Sequence, residues 1–161
     1  MRHVSVEALF PVADADDIFT VLTRFEKYPE LTPAVREVRV TATGEGLMDS
    51  EWSVNFRNGV LSWSERDIID AVARTIVFTQ LEGDFERFEG CWSVQEQSAD
   101  GSVLVRLAAT FELGMPTLDP IIGPIAERAL IESVQLIITG LTGPETTFLV
   151  GSEAAPAAAD S

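Results

Sequence analysis

The chain is poor in the residues that most often carry chemistry. Its 161 residues include one cysteine, Cys91, and one histidine, His3. A lone cysteine excludes an internal disulfide and a thiolate metal cage. A lone histidine beside the N-terminus excludes a zinc site or a Ser-His-Asp triad built around an internal imidazole, so no metal and no cofactor is expected. Positive charge is also scarce. Eleven Lys and Arg stand against 26 Asp and Glu, a formal net charge of −15. No basic patch interrupts that acidity, so neither a phosphate backbone nor an anionic membrane is an expected partner. The acidity reads as a solubilising coat. No basic stretch followed by an apolar one opens the chain, so no export signal is expected and the cytoplasm is the expected location.

Long uninterrupted apolar runs are lacking as well. The best candidate, Ile121 to Leu141, contains Gly123, Pro124, Glu127, Arg128 and Glu132. That pattern favours a buried amphipathic helix over stable membrane insertion. Hydrophobic residues make up 46% of the chain, enough for one domain over residues 1–150 to bury its own core. Residues 151–161, rich in alanine, form an expected disordered tail.

What is present is strand after strand. Val4, Val6 and Ala8 alternate with polar residues, giving a first strand with one buried face. Asp14 is placed to cap a helix, with Asp17 favouring the same end, and Ile18, Val21, Leu22 and Phe25 share one helical face. Pro29 and Pro33 are read as stopping it, leaving a connecting segment from Tyr28 to Ala34. Alternating strands follow from Val35, and Asn58-Gly59 is a strong two-residue hairpin signal. The last strand carries Val103, Val105, Leu107, Ala109, Phe111 and Leu113 on one face. Asp119-Pro120 opens a long helix, and Gly140 is the expected stop near Thr139. The order predicts an α+β fold: a curved antiparallel sheet of about seven strands around a long C-terminal helix, with one or two short helices after the first strand.

Residues from Trp52 to Gln80 suggest a ligand cavity. Counting alternate positions places Trp52, Val54 and Phe56 on one face, and assigns Val60, Ser62, Ser64 and Arg66 to that same face across the turn. The next strand adds Ile76, Phe78 and Gln80. An apolar wall bearing one guanidinium, one carboxamide and two hydroxyls resembles a binding cavity more than a sealed core. Trp52, Phe56, Phe78, Trp92 and Ser64 are expected to border a void with room for a bicyclic molecule. The simpler alternative for Arg66 is a strand arginine reaching solvent or pairing with a carboxylate. Trp52, Trp92, Phe56, Phe78 and Phe88 have a plain core alternative too. Ser62 and Ser64 lack a neighbouring base and read as orienting groups. Asp84, Glu86 and Glu89 read as surface, and Cys91 as a small packed residue.

Several local motifs appear in a telling order: Tyr28-Pro29-Glu30-Leu31, Trp63-Ser64-Glu65-Arg66, Gly83-Asp84-Phe85, Glu89-Gly90-Cys91-Trp92-Ser93-Val94, and Gly123-Pro124-Ile125-Ala126-Glu127-Arg128. Together, over residues 3–141, they resemble the helix-grip fold of the START-like superfamily. Within it the chain is similar to the polyketide cyclase/dehydrase and coenzyme Q-binding group. The resemblance implies a cavity arginine at Arg66, a cavity tryptophan at Trp92 and an aromatic at the mouth at Tyr28. It also shows departures. Gln80 replaces a second cavity arginine, Leu107 and Ala109 replace polar positions, and Leu130 or Ile131 replaces a polar residue of the long helix.

Two functions from different classes follow. One is a cyclase or aromatase that folds a poly-β-ketone, free or borne on an acyl carrier protein, for aldol closure and dehydration. Arg66 would then stabilise the enolate. The other is a non-catalytic carrier for an isoprenoid quinone, lipid or aromatic metabolite, favoured by the apolar departures. A module that binds a macromolecular partner is a weaker third class. The sequence leaves oligomeric state open, a homodimer included.

Overall fold

The computed structural model describes residues 1–11, 13–56, 59–97, 101–114, 117, 119–142, 147–148 and 154–155. Its first strand, β1 (Arg2–Phe10), buries Val4, Val6, Ala8 and Phe10. Asp14 then starts α1 (Ala15–Thr23), accepting the backbone N–H groups of Asp16 and Asp17 at 2.9 and 3.1 Å. These donors have no partner inside the helix, so the cap stabilises the start. The buried face of α1 is Ala15, Phe19 and Leu22. It is rotated from the expected stripe because the chain leaves α-helical geometry before Phe25, which sits in a 3-10 turn (Phe25–Lys27). Pro29 does not stop a helix. It occupies the first turn of α2 (Tyr28–Leu31), where a missing N–H is harmless.

Six long strands follow: β2 (Val35–Gly44), β3 (Leu47–Phe56), β4 (Gly59–Asp70), β5 (Thr75–Gly83), β6 (Arg87–Glu96) and β7 (Val103–Glu112). Each pairs antiparallel with the next, and β7 closes onto β1. The long helix α3 spans Asp119–Thr142. Two-residue strands β8 (Thr147–Phe148) and β9 (Ala154–Ala155) add to the free side of β1. The architecture is the helix-grip α+β fold, a curved antiparallel sheet holding one long helix. Of the expected tail, Ala154–Ala155 pair with β1, and residues 151–153 and 156–161 lie outside the described residues. Asn58, Asp100, Pro144 and the side chain of Asp119 also lie outside them.

The run from Ile121 to Leu141 packs as an amphipathic helix. Ala126, Ile131, Val134, Ile137 and Ile138 are buried, whereas Ile121, Ile125 and Leu136 face outward. No helix among the described residues is long and apolar enough to cross a membrane. Arg2 fastens α3 to β1: its guanidinium donates to both carboxylate oxygens of Glu127 at 3.1 Å. Gly140 is not the stop, since the helix continues to Thr142. A Cβ there would meet the carbonyl oxygen of Leu31 at 2.4 Å, so this glycine permits close approach of α3 to α2. The helix lies chiefly against β1, leaving the inner face of β3 to β6 less closely covered.

Candidate functional site

The register of β3 on β4 decides which side chains reach the interior. Trp52 lies opposite Trp63, Val54 opposite Leu61, and Ser50 opposite Glu65. Every such pair joins an even number to an odd one, so the inner face of β4 is Leu61, Trp63, Glu65, Asp67 and Ile69. The expectation that Ser62, Ser64 and Arg66 share the face of Trp52 is therefore corrected. A two-residue hairpin loop pairs residues three apart, which exchanges odd and even positions between the strands.

The three residues face outward. Arg66 donates through Nε and Nη2 to the two carboxylate oxygens of Asp49 at 2.9 and 3.2 Å, with half of its side chain exposed. Each partner favours the charged form of the other: the bond to Arg66 lowers the Asp49 pKa, and the bond to Asp49 raises that of Arg66. The Ser62 backbone N–H donates to Asp84 Oδ2 at 2.7 Å, and Ser64 Oγ donates to the Glu82 carbonyl at 3.4 Å. Ser62, Ser64, Asp49, Glu82 and Asp84, with Arg39, Glu37 and Glu51, line an open furrow of about 810 Å³ on the outside of the sheet, which Arg66 does not line. It is larger than the inner cavity but lies open to solvent and mixes short polar groups with carboxylates.

The inner cavity lies between the sheet and α3. Of the residues read from sequence, Tyr28, Trp52, Phe78, Phe88, Trp92 and Leu130 line it. Gln80 points inward yet stands outside the lining, its Nε2 donating to the Phe85 carbonyl at 3.0 Å. Phe56 ends β3 opposite Gly59, and its side chain lies outside the described residues. The sequence reading did not place Trp63, Glu65, Phe85 or Ser133 in the wall. Correct parity across the hairpin would have found the first two. Phe85 follows β5 in a bend, and Ser133 sits on α3, where no strand alternation applies.

Aromatic residues make up half of the lining. Trp52 and Trp63 stack with centroids 6.0 Å apart and planes 5° from parallel. Phe25 and Tyr28 meet Trp52 edge-on at 5.1 and 5.5 Å, and Phe88 meets Trp63 edge-on at 5.3 Å. Gly90 makes room for Phe78, since a Cβ there would meet the Phe78 ring at 2.7 Å and the Ala108 carbonyl at 2.5 Å. The space available between these side chains is about 70 Å³. An apolar cavity of about 150 Å³ accepts benzene. The expectation of room for a bicyclic molecule is thus corrected: the side chains interdigitate more closely, which counts against a cyclase and against a carrier with a ready-made cavity alike, and a ring enters only if they move apart.

One polar constellation adjoins this apolar wall and enters it through Glu65. Glu65 is 4% exposed and Asp67 fully buried, neighbours on the inner face of β4. Trp63 Nε1 donates to Glu65 Oε1 at 2.7 Å, and Ser50 Oγ donates to Asp67 Oδ2 at 2.6 Å. Trp52 Nε1 in turn donates to Ser50 Oγ at 2.8 Å. The remaining oxygen, Asp67 Oδ1, is buried and meets no N–H or hydroxyl donor. The two carboxyls hydrogen-bond to each other, which requires a proton between them. Burial raises the Glu65 pKa well above the ordinary carboxylate range, and the bond to Asp67 adds to it. Burial also raises Asp67, with the bond from Glu65 opposing. The proton therefore belongs to the pair, Glu65 donating and Asp67 accepting. Tyr28, fully enclosed, donates to the Leu22 carbonyl, and burial followed by the Glu65 and Asp67 charges pushes its pKa well up.

Fold and site together define a helix-grip domain with an aromatic cavity under its long helix. The chain belongs to the polyketide cyclase/dehydrase and lipid transport family, whose model matches residues 12–135. No curated protein matches it at a significant level. Among solved structures it is similar to TTHA0849 from Thermus thermophilus, with a TM-score of 0.78 and 22% identity over 86% of this chain and 93% of that one. It is also similar to the Zhui aromatase/cyclase from Streptomyces sp. R1128, with a TM-score of 0.72 and 18% identity over 87% and 93%. A START superfamily protein from Mycobacterium smegmatis gives 0.71 and 18% over 88% and 94%. At these identities the likeness concerns the fold.

Proposed function

We propose that this protein binds a small, flat hydrophobic molecule between its sheet and α3, as a carrier or binding protein without chemistry. The observation that supports it most is Glu65 in the wall of an aromatic cavity, paired with the fully buried Asp67. Two carboxyls out of water destabilise a fold unless they are fully partnered, and apolar residues of similar volume usually serve a core as well or better. Ionisable groups with strongly displaced protonation in a cavity are candidates for function.

The same observation weighs against the cyclase reading. Aldol closure develops negative charge on an enolate, which needs preorganised donors or a cation. The resemblance led to Arg66 for that role, but Arg66 is outside with Asp49, and carboxyls occupy the inner face of β4. A space of about 70 Å³ also suits one or two rings entering with side-chain movement better than a long poly-β-ketone.

The test is titration with one- and two-ring aromatics and short-chain quinones, followed by tryptophan fluorescence and calorimetry. Trp52, Trp63 and Trp92 all lie at the cavity, so an occupant changes their emission. Leu130→Trp fills the cavity and abolishes binding while the melting temperature stays level or rises. Absence of binding across the panel, or binding untouched by Leu130→Trp, overturns the reading. The aldol reading, favoured by fold likeness to an aromatase/cyclase, has its own test. If the binding reading holds, a reconstituted polyketide synthase gives one product distribution with this protein and without it.

A further inference from the structure

We infer that the cavity prefers ligands carrying a basic nitrogen, the protonated amine seating on Glu65, which Asp67 backs, and the apolar rings lying among Trp52, Trp63 and Phe88. This rests on the binding reading above and names the ligand class. Three independent features carry it.

The first is spare acceptor capacity in the wall. Asp67 is fully buried and accepts from Glu65 and from Ser50, so it backs Glu65 without itself lining the cavity. Trp63 Nε1 occupies one lone pair of Glu65 Oε1, in the cavity wall, leaving further acceptor capacity there. The pair offers a ligand acceptors in excess and a proton already committed within itself. Ligand donors fit that arrangement, and a charged donor fits best.

The second is uncompensated negative charge. The charged or titratable neighbours that bear on the pair are Tyr28 from α2 and Asp49 from β3, with Ser50, Trp52 and Trp63 as neutral donors nearby. Asp49 makes the pair harder to ionise. With one proton shared, the pair carries one negative charge away from water. A ligand cation neutralises that charge where solvent screening is weak.

The third is the wall itself. Trp52, Trp63, Phe85 and Phe88 line the same cavity as Glu65. Indole faces attract cations through their quadrupole, adding to the electrostatic match. The overall charge of −15 also raises the local concentration of cations.

The experiment compares 2-naphthylmethylamine with its neutral isostere 2-naphthylmethanol by calorimetry and tryptophan quenching at neutral pH. The amine binds wild type at least about tenfold more tightly than the alcohol. Glu65→Gln removes that advantage, lowering amine affinity until the two probes bind alike. Because the variant retains nearly all of the acidic surface, loss of preference separates cavity recognition from surface attraction. In wild type, amine affinity falls on acidification as the pair takes up its second proton, and alcohol affinity does not. This arm needs no variant, so it decides the matter even if Glu65→Gln fails to fold. Equal affinities, or a preference that survives Glu65→Gln and acidification, overturn the inference while leaving the binding reading intact. Binding of neither probe overturns both.

Discussion

Strand β4 carries two charged pairs on neighbouring residues and opposite faces. Outside, Arg66 meets Asp49 in water, and each favours the charged form of the other. Inside, Glu65 meets Asp67 away from water, and burial pushes both towards the protonated form. The outer pair is an exchange of solvent contacts for a screened ion pair. The inner pair exists only because a proton, a serine and an indole N–H satisfy it. One step along a strand separates a decorative charge from a costly one, and the costly one is where a ligand-dependent role is to be sought.

The largest effect expected on breaking the inner face comes from Trp52→Ala. It removes the ring that joins Phe25, Tyr28 and Trp63, and its N–H to Ser50. A loss of about 3–5 kcal/mol is expected, read from chemical denaturation. A loss below about 1 kcal/mol would mean that the interior is loosely packed around it. Gly90→Ala comes next. It adds a methyl where the Phe78 ring and the Ala108 carbonyl leave no room, at about 1–3 kcal/mol. The same measurement checks it, and a neutral result would show that Phe78 rotates freely into the cavity.

Much of this contrast was legible in the sequence, and one arithmetical step hid the rest. Alternation in β1, β5, β6 and β7 places Val4, Phe78, Trp92 and Leu107 inside, as read, because period-two patterning records which face is buried. The long helix was equally plain from Asp119-Pro120 at its start and from Glu127, Arg128 and Glu132 interrupting its apolar run. On β4 both faces carry polar residues, so hydrophobicity does not announce the inner one. Ser62, Ser64 and Arg66 are no more polar as a set than Glu65 and Asp67. Only the register settles it. A carboxyl pair on a buried face also contradicts the ordinary rule for charge, and such violations mark sites that folding alone does not explain. Cavity volume was not legible at all, since it depends on how rings from separate elements interdigitate.

A pH experiment sharpens the inner half of the comparison. Glu65 and Asp67 have folded pKa values raised above those of the unfolded chain. Their contribution to stability is therefore full below the ordinary carboxylate range and is lost as pH rises through the raised values. Wild type gains stability on acidification towards the ordinary glutamate value of 4.5, relative to Glu65→Gln, which cannot titrate there. The measurement is the difference in melting temperature between the two proteins across that window. A difference that does not change with pH would mean that Glu65 is ionised at all of these values, and the shared proton would have no place.

The smallest effect expected is from Arg66→Ala, and its smallness is informative. Arg66 and Asp49 form a two-point contact, but half of the guanidinium side chain lies in water, where entropy and counterions offset most of the attraction. The substitution leaves the melting temperature within error of wild type at physiological salt. It also leaves the affinity for cavity ligands unchanged, because no atom of Arg66 borders the cavity. Added salt erases whatever difference remains at low ionic strength, whereas it does little to the inner pair. If Arg66→Ala instead abolishes ligand binding with the fold intact, the outer furrow is the binding surface. The division of β4 into a solvent face and a ligand face would then be reversed.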